Sequence, residues 1–104
     1  MNVLLRIVDD AKVALVKEGI DPELLPTRYD LYQYRGGIAW GYKGSGVMNL
    51  AYAIVARLFE DSDKTPSEIE KAAISMVEKL LCDLSSEREH ELTEEQLLHA
   101  IETK

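Results

Sequence analysis

A chain of 104 residues, 46% apolar and 30% charged, is sized for one domain with a single core, and its net charge is −7. Carboxylates outnumber Lys and Arg by 19 to 12, which excludes a nucleic-acid binder that works by meeting phosphate with cations. Cys82 is the only cysteine, so no intrachain disulfide forms and a reducing compartment is expected.

Residues 3–17 read two ways. Val3, Leu4, Ile7, Val8, Ala11 and Leu15 fit one helical stripe, with Gly19 placed to end it. The same residues also form two short strands, "VLLRIV" and "KVALVK", turned at "DDAK". The β-branched Val3, Ile7, Val8, Val13 and Val16 lean towards strands, but periodicity alone leaves both readings open. Asp9 and Asp10 come too early for the apolar region of a signal peptide.

Residues 20–45 are punctuated by Pro22, Pro26, Gly36, Gly37, Gly41 and Gly44, with Tyr29, Tyr32, Tyr34, Trp40 and Tyr42 between them. The pattern predicts short extended pieces and turns whose aromatics cover one face of the core.

Three helices are predicted after that. The first runs from near Gly46 to about Glu60 and is apolar nearly all round, which places it centrally. Its apolar stretch, 47–59, is shorter than the ~20 residues of a bilayer span and carries Asn49 and Arg57, so a cytoplasmic protein is expected. The second opens with Thr65 as N-cap, Pro66 and Glu68 in a capping box, and its stripe runs from Ile69 through Leu80 to Leu84. Thr93 and Gln96 repeat that logic for a short third helix docked by Leu97, Leu98 and Ile101.

The stretch "GYKGSG" carries two readings. A glycine turn opening a helix aims free backbone N–H groups outward, so Lys43, Gly44, Ser45 and Gly46 form a candidate anion site. The spacing matches neither a phosphate loop nor a dinucleotide fingerprint. The preferred reading is a corner, in which glycines supply positive φ and close approach while Ser45 caps the helix.

His90 and His99 lack any recognisable metal-ligand spacing, and Cys82, on the polar side of the second helix with Ser75, Glu78 and Lys79, lacks a partner base. No catalytic residue, metal site or cofactor is predicted. Arg28 and Asp30, two apart in an extended piece, point to the same side and are read as an ion pair anchoring the aromatic loop, structural like Trp40 and Tyr42. Residues 83–104 hold seven carboxylates against Arg88 and Lys104, five of the seven net negative charges of the chain. Glu87, Glu89, Glu91, Glu94 and Glu95 are the candidate face for a protein partner with a basic surface.

Leu25, Pro26, Arg28, Asp30 and Leu31, then Trp40, Gly41, Tyr42, Gly44, Ser45 and Gly46, then Leu50, Ala51, Ala53 and Ile54 follow one recurring pattern. In it the chain resembles a family of small bacterial and phage proteins known as domain of unknown function 6166. Val47 and Ala39 depart from the pattern, where a proline and an acidic residue are usual. The resemblance implies an N-terminal hairpin and carries over no catalytic residue. The occurrence of the family in phages implies an inhibitor of a host defence, in the manner of an anti-CRISPR protein, or of another host nucleic-acid-handling enzyme. The expected fold is α+β: an N-terminal β-hairpin and an aromatic-rich loop packed on about three helices.

Overall fold

The structure, a computed structural model, describes residues 1–101; Glu102 and Lys104, counted in the acidic run, lie outside the described residues. The chain opens as a hairpin of β1 (Asn2–Val8) and β2 (Ala11–Lys17). Only Asp9 and Asp10 separate the strands, both with positive φ, 50° and 66°. Such a two-residue loop has the twist that antiparallel strands need, and Asp tolerates the left-handed region better than most residues. The strand reading of residues 3–17 therefore holds, and the helical one does not.

Two very short strands complete the sheet. β3 (Glu23–Leu24) pairs with β2, and β4 (His90–Leu92) pairs with β1, giving the antiparallel order β3-β2-β1-β4. Neither was legible in the sequence, where β4 passed for the loop before the third helix. On the inner face Val3, Leu5, Ala14, Val16 and Leu92 are buried.

Helices α1 (Ser45–Leu58), α2 (Pro66–Lys79) and α3 (Glu94–Ile101) pack on that face. Ten residues of α1 are buried, which makes it the central helix, as its all-round apolarity requires. Val47, Leu50, Ile54 and Val55 join Ala73 and Met76 of α2 and Leu97 of α3 in one core with Trp40. Both capping boxes form. Thr65 Oγ1 accepts from Glu68 N at 3.2 Å and Thr93 Oγ1 from Gln96 N at 3.2 Å, with the reciprocal bonds also made.

α2 stops at Lys79 instead of continuing to Leu84. Leu80 turns out of helical geometry, and Leu81–Asp83 form a 3-10 turn that buries Leu81. Cys82 therefore sits half-buried against the core, not on a polar helical face. Ser75, expected on that same polar face, is buried, and its hydroxyl donates to Ala100 O at 2.7 Å, docking α3 on α2. Among the described residues no helix is long and apolar enough to cross a membrane.

Candidate functional site

The candidate residues are spread over the sheet and its loops, and Trp40 anchors the end nearest the hairpin turn. Its indole is fully buried, and Nε1 donates to Ser85 O at 3.0 Å and to Arg88 O at 3.1 Å. His90 meets the indole edge-on at 6.3 Å, and Lys12 Nζ lies 5.0 Å over the ring. One aromatic thus ties the loop before β4 to the underside of β2. Gly41 follows with φ +96°, and its N–H donates to Leu81 O at 2.9 Å. A Cβ there would lie 2.7 Å from Ser86 N and 2.8 Å from Leu84 O, so only glycine lets these backbones meet.

The rest of the glycine turn departs from expectation. Gly44, not Ser45, is the N-cap; its φ is −178°, ordinary extended backbone, and no side chain caps α1. Gly46 does serve close approach: a Cβ would come 3.0 Å from that of Ala39, whose N–H donates to Gly46 O at 3.1 Å. Asn49, buried one turn on, donates from Nδ2 to Gly37 O at 2.8 Å and holds the same segment to the helix. Lys43 and Tyr42 are exposed, with the Tyr42 ring lying over Gly44. The start of α1 therefore keeps first-turn N–H groups without a side-chain cap and without an acidic neighbour.

Arg28 and Asp30 form the expected pair, Nε to Oδ1 at 2.9 Å and Nη2 to Oδ2 at 2.8 Å. The hydrogen bonds to Arg28, more than its charge, hold the Asp30 carboxyl below its ordinary range. Arg28 O accepts from both Leu31 N and Tyr32 N, and Tyr32 then stacks on Tyr52 of α1 at 5.1 Å. The pair thus braces the turn that docks the aromatic loop. The aromatics do not all cover the core, however: Tyr29 and Tyr42 are exposed, and Arg35 stacks over Tyr29.

The acidic face divides into two sets. Glu89 Oε2 accepts from Ile7 N at 2.8 Å, Glu91 from Asn2 Nδ2 at 2.8 Å, and Glu94 from the Met1 amine at 2.9 Å. These three hold β1 and the start of the chain. Glu87 and Glu95 are exposed and make no such bond among the described residues. The fold also adds acids that the sequence keeps far apart. A cleft of about 390 Å³ brings Glu94 beside Glu18, Glu60 and Asp61, with Arg57 pairing to Glu18 and Glu60. His90 Nε2 lies 2.9 Å from Ser85 O, and among the described residues no three His, Cys, Asp or Glu gather as a metal requires. The Cys82 thiol is pushed up first by burial, then by the charge of Asp83 and a hydrogen bond to it.

The outer face of the sheet carries a feature that strand periodicity shows only once the register is known. Glu91, Leu4, Leu15 and Leu24 line up in one row across all four strands. Leu4 is buried, Leu15 is half-buried and Leu24 is 67% exposed, so the row opens to solvent towards β3.

Neither the curated proteins nor the solved structures include a match to this chain. A family model does match, over residues 5–103, nearly the whole length. The chain therefore belongs to the family of unknown function DUF6166.

Proposed function

We propose that the chain is a small, non-enzymatic, cytoplasmic protein-binding module whose partner presents a basic surface around an apolar contact. The observation that carries this reading is the row Glu91–Leu4–Leu15–Leu24 on the outer sheet face, acidic at one end and opening at the other on the exposed Leu24. Apolar surface left open within a charged rim is the usual anatomy of a protein interface. Carboxylates beside it raise the association rate with a basic partner and make that rate salt-sensitive. The polar groups a catalyst would use support the same reading, because Glu89, His90, Arg6 and Trp40 are engaged with backbone. An inhibitor of a host defence or nucleic-acid-handling enzyme, made by a phage or mobile element, would gain by occupying a phosphate-binding surface in this way.

The test is capture from host lysate with wild type, Leu24→Asp and the pair Glu87→Gln, Glu95→Gln, followed by mass spectrometry across a salt series. A protein partner lost from Leu24→Asp and weakened by the Gln pair at low salt is the expected result. Equal capture by all three, or a mobility shift of DNA or RNA, would sink the reading. A second reading rests on the uncapped start of α1, where Lys43, Gly44, Ser45 and Gly46 would hold an anion. It requires millimolar phosphate or nucleotide to raise the melting temperature, with the gain lost in Lys43→Gln.

A further inference from the structure

The sheet has a second open feature, at its β3 edge. Leu25 N donates to Ala14 O at 2.9 Å, so the backbone groups of Ala14 face β3. Alternation along a strand turns the N–H and C=O of Lys12 to the same side. β3 ends at Leu24, and among the described residues Thr27, which the register would set opposite Lys12, makes no backbone hydrogen bond to it. A groove of about 410 Å³ lies there, walled by Val13, Leu24, Leu25, Pro26 and Ile38, and among the described residues Lys12 is the only charged one that lines it. In a chain of net charge −7, this groove presents apolar walls, an unpaired strand edge and a cation together.

We propose that this groove takes an extended segment of the partner protein, added to β2 in the place a continued β3 would occupy, with an acidic side chain set against Lys12. The proposal rests on the protein-binding reading and specifies how the partner engages. Backbone pairing along the open edge supplies affinity, and the walls take alternate apolar side chains. Lys12 selects the charge. A second copy of the chain fits poorly, since two-fold pairing of this edge sets Lys12 against its own counterpart, and like charges directly opposite repel. The mirror position on the other side of the hairpin is closed, because the Glu89 carboxylate takes the Ile7 N–H and Arg6 Nη1 covers Leu5 O and His90 O.

The probe is a capped hexapeptide alternating valine and threonine with one aspartate, titrated into the isotopically labelled full chain and followed by amide chemical shifts. Saturable shifts at Lys12, Val13, Leu25 and Ile38 are expected, about tenfold weaker when lysine replaces the aspartate. N-methylation of alternate peptide amides removes them. Lys12→Glu inverts the charge preference, and Lys12→Met, which still covers Trp40, abolishes it. The proposal is overturned by the absence of a saturable shift at Lys12, or by shifts confined to Leu4 and Leu15. Concentration-dependent dimerisation through the same amides, or saturation by decanoate with no response to either peptide, also overturns it. A null titration while the pair Glu87→Gln, Glu95→Gln still weakens capture of the partner removes the groove and leaves the protein-binding reading. Peptide binding with capture indifferent to that pair does the reverse.

Discussion

The two sides of the hairpin pose the same physical problem and meet it differently. On each, a long strand outruns a short neighbour and leaves backbone groups without a ladder. Beside β1, side chains finish the work: the Glu89 carboxylate substitutes for a strand carbonyl at Ile7, and the Arg6 guanidinium lies across Leu5 O and His90 O. Beside β2, β3 stops at Leu24 and leaves a groove at Lys12. Open edges invite pairing with other chains, and proteins blunt them unless pairing is useful. One edge of this sheet is blunted; the other is furnished with apolar walls and a charge.

Trp40 links the two sides, so removing it should break both at once. Trp40→Ala deletes a fully buried indole and two hydrogen bonds, and should cost roughly 3–5 kcal/mol in denaturant unfolding. A loss below about 1 kcal/mol would mean that the two sides are held independently of Trp40.

Next in size is the contrast between two glycines of one turn. Gly41→Ala should cost roughly 1–3 kcal/mol, since φ is +96° and the new methyl meets Ser86 and Leu84 backbone. Gly44→Ala should cost less than about 1 kcal/mol, because its backbone is extended and its nearest neighbour is the exposed Tyr42 ring. Equal effects in thermal melts would contradict this placement of the corner.

Hydrogen exchange sharpens the comparison of the edges directly. The Ile7 amide should exchange slowly and the Lys12 amide quickly, and Glu89→Ala should make Ile7 as fast as Lys12. The stability loss should stay under about 1 kcal/mol, since the bond is exposed. Protection of Lys12 in the free chain would show that its edge is already closed.

The smallest effect is a local reporter at the start of the loop that Trp40 pins. Burial and Asp83 raise the pKa of the Cys82 thiol, so less thiolate is present at neutral pH than for a free cysteine. Its reaction with an aromatic disulfide should be slow at pH 7, and the rate should climb with a midpoint above that of a small-molecule thiol. A midpoint below that value would contradict the acidic, half-buried setting.

What could be read without the fold was what local chemistry dictates. The capping boxes at Thr65 and Thr93 formed as read, because a cap depends only on residues three apart. The bidentate Arg28–Asp30 pair and the central place of α1 were legible for the same reason, spacing in one case and all-round apolarity in the other. The hairpin was legible only in part, since Val3 to Val16 suit a helix as well as strands; two Asp residues in left-handed geometry decide it. The strands β3 and β4 were invisible, because two or three residues carry no periodicity and pair only when distant chain arrives. So too the end of α2, where burial of Leu81 overrides the stripe to Leu84.

The candidate sites follow the same division. The sequence by itself determined the acidity of the C-terminal run, the glycine turn and the apolar alternation of the hairpin. The fold alone decided that Glu89, Glu91 and Glu94 hold the chain together, and that Glu18, Glu60 and Asp61 join Glu94 in a cleft. It alone decided that Leu4, Leu15 and Leu24 share a row, because strand register comes from pairing between residues far apart along the chain. The physical reason is range: caps, turns and charge density act over a few residues, whereas edges, grooves and rows exist only between strands.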